Sequence, residues 1–435
     1  MPRRITVTAA GDALITTRMP EYPDAGFQDL CGLIRGADVA FINMEMVLSN
    51  YEGVPVVEAG GGNASAHPAV ALDLMRMGFN LTAYANNHTL NYGEYGCLKT
   101  LEVLAEYGFT CAGAGRHLAE ARRPVYLDTA AGRVGLMGCA STFANGHRAG
   151  AQKHDTQGRP GLNPQRFETL FVVDQEHMDA IKRISERTGV AERQQHAIDA
   201  GWLKPPKREG EYHFAERAFI VGEEFGIRTE AHEKDLEGNA ASIRQAAAVS
   251  HLALASIHAH EQGKGQEDPA DFLVQFAHAM IDAGAGMVIG HGHHAMRGLE
   301  LYKGKPIFYS LGDFIFQVEL MRQAPSDDYE GLGVDTALDA GQLFNQLFNE
   351  SKAGFGSDRK YWETVLPICV FEDGELVELT LYPVTLGFGE PLPDRGIPRL
   401  ATGALAGEIL TTFANLSAPF GTTVEVDGPV GRVRL

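Results

Sequence analysis

The chain has 435 residues, 44% hydrophobic and 21% charged, the balance of a soluble globular protein large enough for a substantial core. Its formal net charge of −19 excludes an extended basic face, so neither a nucleic-acid backbone nor an anionic membrane surface is an expected partner. The five cysteines are odd in number and scattered without a Cys-x-x-Cys pair, so reduced, mostly buried thiols are expected.

From its N-terminus the sequence enters a strand at once. It shows no h-region and no apolar run of about 18 residues, so a cytoplasmic location is expected. Short apolar runs at residues 5–9, 39–42, 80–84, 110–112, 133–137, 251–257, 287–289 and 306–309 read as strands. Helical spacing lies between several of them, at 69–77, 95–107 and 270–283. This alternation predicts βαβ units and an α/β fold with a mainly parallel sheet. Residues 145–235 break it. They are polar, contain Gly158-Arg159-Pro160-Gly161 and Lys204-Pro205-Pro206-Lys207, and read as an inserted lid or subdomain. A loop-rich stretch follows at 321–360, then strands at 365–371 and 376–384, a helix at 401–416 and a closing hairpin at 422–435. The expected organisation is a core of residues 1–144 and 236–390, the insert 145–235, and a C-terminal helix and hairpin, 391–435, packed on the core.

Five strand ends carry groups suited to metal or acid–base chemistry. The first run ends at Gly11-Asp12 and the second at Asn43-Met44-Glu45. The third ends at Asn86-Asn87-His88, the sixth at His258-Ala259-His260-Glu261, and the seventh at Gly290-His291-Gly292-His293-His294. In a parallel α/β sheet the carboxyl ends of the strands face one crevice. Carboxylate, amide oxygen and imidazole together suit Mn²⁺, Fe²⁺ or Zn²⁺, and one or two such ions are the expected cofactor. Singly, each residue has a plain structural role: Asp12, Asn86 or Asn87 as a helix cap, Glu45 as a surface carboxylate, His88 as a satisfied core histidine. Arg18, Arg148 and Arg159 are candidates for holding an anionic substrate; a solvated polar surface is the alternative for each.

The ordered set Gly11-Asp12, Asn43-x-Glu45, Ala85-Asn86-Asn87-His88-x-x-x-x-Gly93, Gly113-Ala-Gly115-Arg116, Ile257-His258, Gly290-His291-x-x-His294 and Phe308-Tyr-Ser-Leu-Gly-Asp-Phe resembles the CapA family of capsule and poly-γ-glutamate synthesis proteins. That resemblance covers residues 5–316 and implies a calcineurin-like fold: a four-layer α/β/β/α metallophosphatase-like sandwich with a polar inserted subdomain. It implies a site built from Asp12, Glu45, Asn87, His258, His291 and His294 as ligands, with Asp12, His88 and His294 as acid–base groups. Asn43, Asn86, His260, Glu261 and His293 are secondary candidates. The chain departs from metallophosphatases proper. Asp12-Ala13-Leu14 lacks the usual histidine two residues on, Asn43-Met44-Glu45 replaces Gly-Asp-x-x-Asp, and Asn87-His88-Thr89 replaces Asn-His-Glu. Within the family, proline is usual where His293 stands, and Asn91 and Asp313 occupy positions where aspartate and asparagine are usual.

Three functions follow. The first is a metal-dependent hydrolase of an amide, peptide-like (γ-glutamyl included) or phosphoester substrate, small and anionic. The second is a metal-independent epimerase of a peptide-like substrate using Asp12 and His294 as an acid–base pair. The third is a non-catalytic accessory protein of polymer synthesis. A homo-oligomer is a further expected partnership.

Overall fold

Val39–Met44 and Leu252–His258 are buried at every position, the pattern of strands covered on both faces. Alternate side chains of each strand go to opposite faces. Val39 and Phe41 join one apolar cluster while Ala40, Ile42 and Met44 join a second; Leu252 and Leu254 join the first while Ala255 and Ile257 join a third. The computed structural model describes residues 3–19, 22–59, 62–346, 354–392 and 394–435.

These strands belong to two large sheets of a mixed α/β fold. The larger runs Val424–Asp427, Val430–Val433, Glu375–Thr385, Glu363–Glu372, Arg4–Leu14, Val39–Met44, Leu81–Ala83 and Thr110–Ala112, with Asp313–Phe316 and Arg399–Leu400 attached. The smaller runs Met296–Tyr302, Lys305–Leu311, Met287–His291, Leu252–His258, Arg133–Ala140 and Val125–Asp128. In the smaller sheet the central pairs are parallel and the two edge pairs antiparallel; in the larger one Arg4–Leu14 through Thr110–Ala112 run parallel, while the pairs from Arg4–Leu14 back to Val424–Asp427 are antiparallel.

One apolar cluster takes side chains from both sheets, among them Val7, Phe41, Leu254, Ile289 and Phe308, and also from helix Gly403–Ser417 through Ile409 and Phe413. A second joins the larger sheet to helices Ala25–Arg35, Val70–Met77 and Gly93–Glu106. The third joins the smaller sheet to helices Glu233–Val249 and Asp271–Asp282. Ala25–Arg35 starts where Asp24 accepts the Phe27 N–H, a side-chain cap that satisfies one of the orphan donors of a first turn.

The expected strand 5–9 continues to Leu14. A register shift between Ala9 and Asp12 lets the strand leave Glu363–Glu372 and take Asp313–Phe316 as its parallel neighbour. Gly11 makes that crossing, since a Cβ there would fall on the Gly312 carbonyl oxygen.

Residues 145–166 run close to the core strands. Asn163 N–H donates to the Gly113 carbonyl at 2.7 Å and Gln165 N–H to the Ala140 carbonyl at 2.7 Å. Beyond them Phe167–Val173, Tyr212–Phe214, Arg217–Val221 and Gly226–Ala231 form a four-stranded sheet of their own, accompanied by helices Gln175–Arg187 and Val190–Asp199. Phe167 stacks on Phe272 of the core, with ring centroids 4.3 Å apart. Helix Glu233–Val249 follows directly. Among its described residues the 321–360 stretch carries the short helices Ser326–Leu332 and Ala340–Asn345 and 3-10 turns at Phe355–Ser357 and Arg359–Trp362; residues 347–353 of it lie outside the described ones.

Candidate metal centre

Strand register sets the first neighbours. Asp12 lies beside Asn43, and His258 beside His291, in adjacent parallel strands. Asn43 Nδ2 donates to Asp12 Oδ1 at 2.7 Å, and Gly292 N–H donates to Asp12 Oδ2 at 2.7 Å. Gly292 can turn its amide this way because its φ is 102°, a value that favours glycine. Asp12, from the larger sheet, thus meets His258 and His291, from the smaller one, with every side chain buried.

Two groups of three ligand atoms result. Asp12, His258 and His291 form one; Glu45, His260 and His294 form the other; within each group the atoms lie no more than 4.8 Å apart. His258 stands between them. Its Nδ1 is 3.7 Å from Asp12 Oδ1 and 3.2 Å from His291 Nδ1. Its Nε2 is 3.7 Å from Glu45 Oε1 and 2.9 Å from His260 Nε2. Asp12, Glu45, His294 and Asp313 also converge, which links the two groups.

A divalent cation fits this set. Both Glu45 oxygens and Asp313 Oδ2 are buried without a hydrogen-bond partner. Leaving a carboxylate unpaired in a dry interior is costly, and a cation removes that cost. Imidazole nitrogens facing each other and a carboxylate at 3.2–3.7 Å have too few protons to bridge every pair, whereas one cation satisfies all of them.

The electrostatics agree. Burial, then the charges of Asp12 and Asp313, push the Glu45 carboxyl well above its ordinary range. Burial also pushes Asp12 upward, but hydrogen bonds and charge from His258 and His291 outweigh it and hold Asp12 well below the usual carboxylate value. Burial lowers His88 and His258 to about 4, and burial with the charges of His258 and His294 holds His260 well below the ordinary imidazole value. These imidazoles are therefore neutral near pH 7, the form that ligates metals. His294 is the exception: burial lowers it, yet the neighbouring Asp313 carboxylate outweighs burial and raises it. Burial raises Asp313 to about 7.

Outer partners orient the rings. Ser256 Oγ is 2.8 Å from His291 Nε2, which turns Nδ1 toward Asp12 at 3.3 Å. Asp313 Oδ1 is 2.8 Å from His294 Nδ1. Asn91 Oδ1 is 2.6 Å from His88 Nδ1 and can only accept, so His88 Nε2 keeps its lone pair, 3.7 Å from Glu45 Oε1.

Asn87, His88, His260 and His294 also form the polar end of a cavity of about 330 Å³. Asn86 serves the turn instead: its Nδ2 donates to the Met44 carbonyl at 2.8 Å and its Oδ1 accepts from His88 N–H at 3.1 Å. Glu261 accepts from Ser141 Oγ at 2.6 Å and Thr142 Oγ1 at 2.9 Å, outside both groups. Its neighbour Thr142 holds the His260 N–H at 2.8 Å. His293 turns to the buried Arg297, whose Nη2 is 3.1 Å from His293 Nδ1. The Arg18 guanidinium is engaged by Asp73 through contacts of 2.6 and 2.8 Å. Arg159 donates to the Arg148 carbonyl at 2.9 Å, and neither arginine is among the residues lining the cavity.

Asp313, Ser256 and Asn91 complete the site without having been singled out as ligands from sequence. Asp313 had a visible signal. Gly312-Asp313 repeats the Gly11-Asp12 pattern at another strand end, and the two aspartates are register partners. Ser256 had none, being one polar residue inside an apolar run.

The sequence matches the family described as bacterial capsule synthesis protein PGA_cap over residues 6–318. An uncharacterized protein, y4sH, of Sinorhizobium fredii (strain NBRC 101917 / NGR234) is 34% identical across 99% of this chain and 93% of its own length. The capsule biosynthesis protein CapA of Bacillus anthracis is 22% identical across 81% of this chain and 74% of its own. A probable polyglutamine synthesis accessory protein of Mycobacterium tuberculosis (strain ATCC 25618 / H37Rv) is 26% identical across 61% of this chain and 50% of its own. A hypothetical protein from Thermus thermophilus superposes with a TM-score of 0.41 at 11% identity, covering 87% of this chain and 98% of that one, a likeness too loose to bear on the fold. Among the described residues no helix is long and apolar enough to cross a membrane. With the family's pattern matched over most of its length, this chain belongs to the PGA_cap, or CapA, family of capsule and poly-glutamate synthesis proteins.

Proposed function

We propose that this chain is a metal-dependent hydrolase, acting on an amide or peptide-like substrate in preference to a phosphoester. The observation that carries the reading is the pair of buried donor groups around His258, the second of which holds the Glu45 carboxylate with neither oxygen hydrogen-bonded. Asp12, His258 and His291 would hold one ion. Glu45, His260 and His294 would hold the second, with the Asn87 amide at its edge. A divalent cation bound here supplies Lewis acidity and lowers the pKa of a water. His88 is neutral and lines the cavity, with Nε2 free of the Asn91 contact and 3.7 Å from Glu45 Oε1, so it would take a proton from the attacking water and return it to the leaving group. Asp12 has both oxygens occupied by hydrogen bonds, which suits a fixed ligand and not the mobile base that an epimerase needs. The four-layer α/β/β/α arrangement belongs to the same reading, supported by three apolar clusters that alternate with two sheets.

Metal analysis of the purified protein, after loading with Mn²⁺ or Zn²⁺, is the first test. A screen of phosphoester, anilide and γ-glutamyl substrates with and without chelator is the second. Binding of one or two ions per chain and turnover that chelator abolishes are expected. A protein that takes up no divalent ion, or whose turnover survives chelation, overturns the proposal; no turnover at all would leave an accessory role of the kind named for the mycobacterial relative.

A further inference from the structure

We propose that the substrate of this centre carries an uncharged apolar group, alkyl or aryl, next to its reacting bond; the proposal rests on the hydrolase reading for the location of that bond. The cavity of about 330 Å³ has the four polar residues described above at one end. Its remaining wall is mostly apolar, including Leu14, Phe316, Met321, Leu343, Phe344 and Phe355. No lysine or arginine lines it among the described residues. The one carboxylate among its described lining residues, Asp328, already accepts from Asn63 N–H at 3.0 Å and from Asn63 Nδ2 at 3.1 Å. The Phe355 ring meets the His294 ring edge-on at 5.0 Å and lies 5.3 Å from Phe316, so the apolar wall begins at the candidate ligand itself.

Such a wall selects by cost. A chain of γ-linked glutamates would bring one carboxylate per residue against it with no lysine or arginine among the described lining residues to pair it, and an unpaired buried carboxylate is heavily penalised. An alkyl or phenyl group gains from leaving water. A few polar groups at one end of an apolar cavity is also the usual design for binding a small molecule, and this volume falls at the small end of that range.

The test uses hydroxamates as probes on the Mn²⁺- or Zn²⁺-loaded protein: acetyl, butyryl, hexanoyl and 3-phenylpropionyl, with the succinyl monohydroxamate as the carboxylate-ended counterpart of butyryl. Calorimetric Kd should fall about three- to fourfold per added methylene from acetyl to hexanoyl, the factor that about 0.8 kcal/mol per buried methylene gives. The succinyl probe should bind at least tenfold more weakly than butyryl. Leu332 lines the cavity and is 48% exposed, so Leu332→Arg should fold and should improve the succinyl probe relative to butyryl about tenfold. Hexanamide and 3-phenylpropionamide, followed by saturation-transfer NMR on chelator-treated protein, read the cavity without metal. Amide binding that strengthens with chain length while hydroxamates gain nothing from metal would sink the hydrolase reading and uphold the apolar cavity. Affinities flat within twofold across the acyl series, or a succinyl probe tighter than butyryl, would overturn the apolar assignment with the metal centre intact.

Discussion

At the scale of single residues, the site depends on groups that touch no substrate. Ser256 holds His291 Nε2 and thereby fixes which nitrogen faces Asp12. Losing such an outer partner commonly costs about 10–100-fold in metal affinity. Ser256→Ala should therefore weaken divalent binding by about that factor while leaving the thermal transition close to wild type; chelator competition measures it, and unchanged affinity would remove Ser256 from the site. His294 poses a separate question, because its φ of 62° places a non-glycine residue in the left-handed region. Strain of this kind collects at functional sites. His294→Gly and His294→Ala lose the same imidazole and leave Asp313 in the same condition, so their difference isolates the backbone. The glycine variant should be the more stable by about 1 kcal/mol in denaturant titration. Equal midpoints, or a more stable alanine variant, would show that the loop relaxes when the ring is removed.

At the scale of elements, two glycines make opposite predictions. Gly11 lies where strand Arg4–Leu14 shifts register, against the Gly312 backbone. A methyl group there cannot be absorbed by a side-chain movement, because what it meets is main chain. Gly11→Ala should part the two strands that carry Asp12 and Asp313 and cost several kcal/mol, about the scale of other severe overpacking. Gly32 lies within helix Ala25–Arg35, exposed, and a Cβ there meets nothing within 4 Å. Gly32→Ala should stabilise the protein by about 0.5–1 kcal/mol. Urea unfolding of the pair checks both signs at once. The same elements show why part of the site was legible in sequence. Histidines and acids that end apolar runs announce themselves, because a run of period two or full burial stops where the polar residue begins. Asp12, Glu45, His258 and His291 were visible in that way. Whether Glu261 or His260 faces the centre depends on how the chain turns after the strand, which pattern does not encode. Leu343, Phe344 and Phe355, the apolar wall, lie in a stretch whose composition reads as loop, and they become a wall only through tertiary packing.

At the scale of the whole molecule, residues 167–231 bond to helix Asp271–Asp282 of the core through Thr229 and Ala231, and the chain leaves and re-enters the core beside one buried carboxylate. Asp235 lies in the first turn of helix Glu233–Val249, where a negative charge also favours the helix dipole. Arg166, next to the first strand of the four-stranded sheet, donates to Asp235 Oδ2 through Nε at 2.6 Å and to Oδ1 through Nη2 at 3.0 Å. Arg122, ending helix Leu118–Arg122 of the core, donates to Oδ1 through Nη2 at 3.3 Å, and His232 Nδ1 lies 3.6 Å from Oδ2. Burial pushes the Asp235 carboxyl up, but the hydrogen bonds and charge of Arg166 outweigh it and hold the group below its ordinary 3.8. A carboxyl depressed on folding contributes stability above its unfolded value, and that contribution is lost as pH falls through the lower folded value. Asp235→Asn would leave two arginines facing each other without their counter-charge. Removing one partner of a buried pair costs about 3–5 kcal/mol, and the lower end applies here because Arg166 is partly exposed. The variant should therefore lose about 3 kcal/mol at pH 7, and residues 167–231 should become more open to limited proteolysis. The deficit should hold down to about pH 4 and shrink below it, as the wild-type carboxyl itself takes up a proton. A deficit of the same size at about pH 3 and pH 7 would mean that Asp235 acts by packing and not by charge, and no deficit at either pH would mean that the Phe167–Phe272 stack and its neighbours hold the unit in place without it.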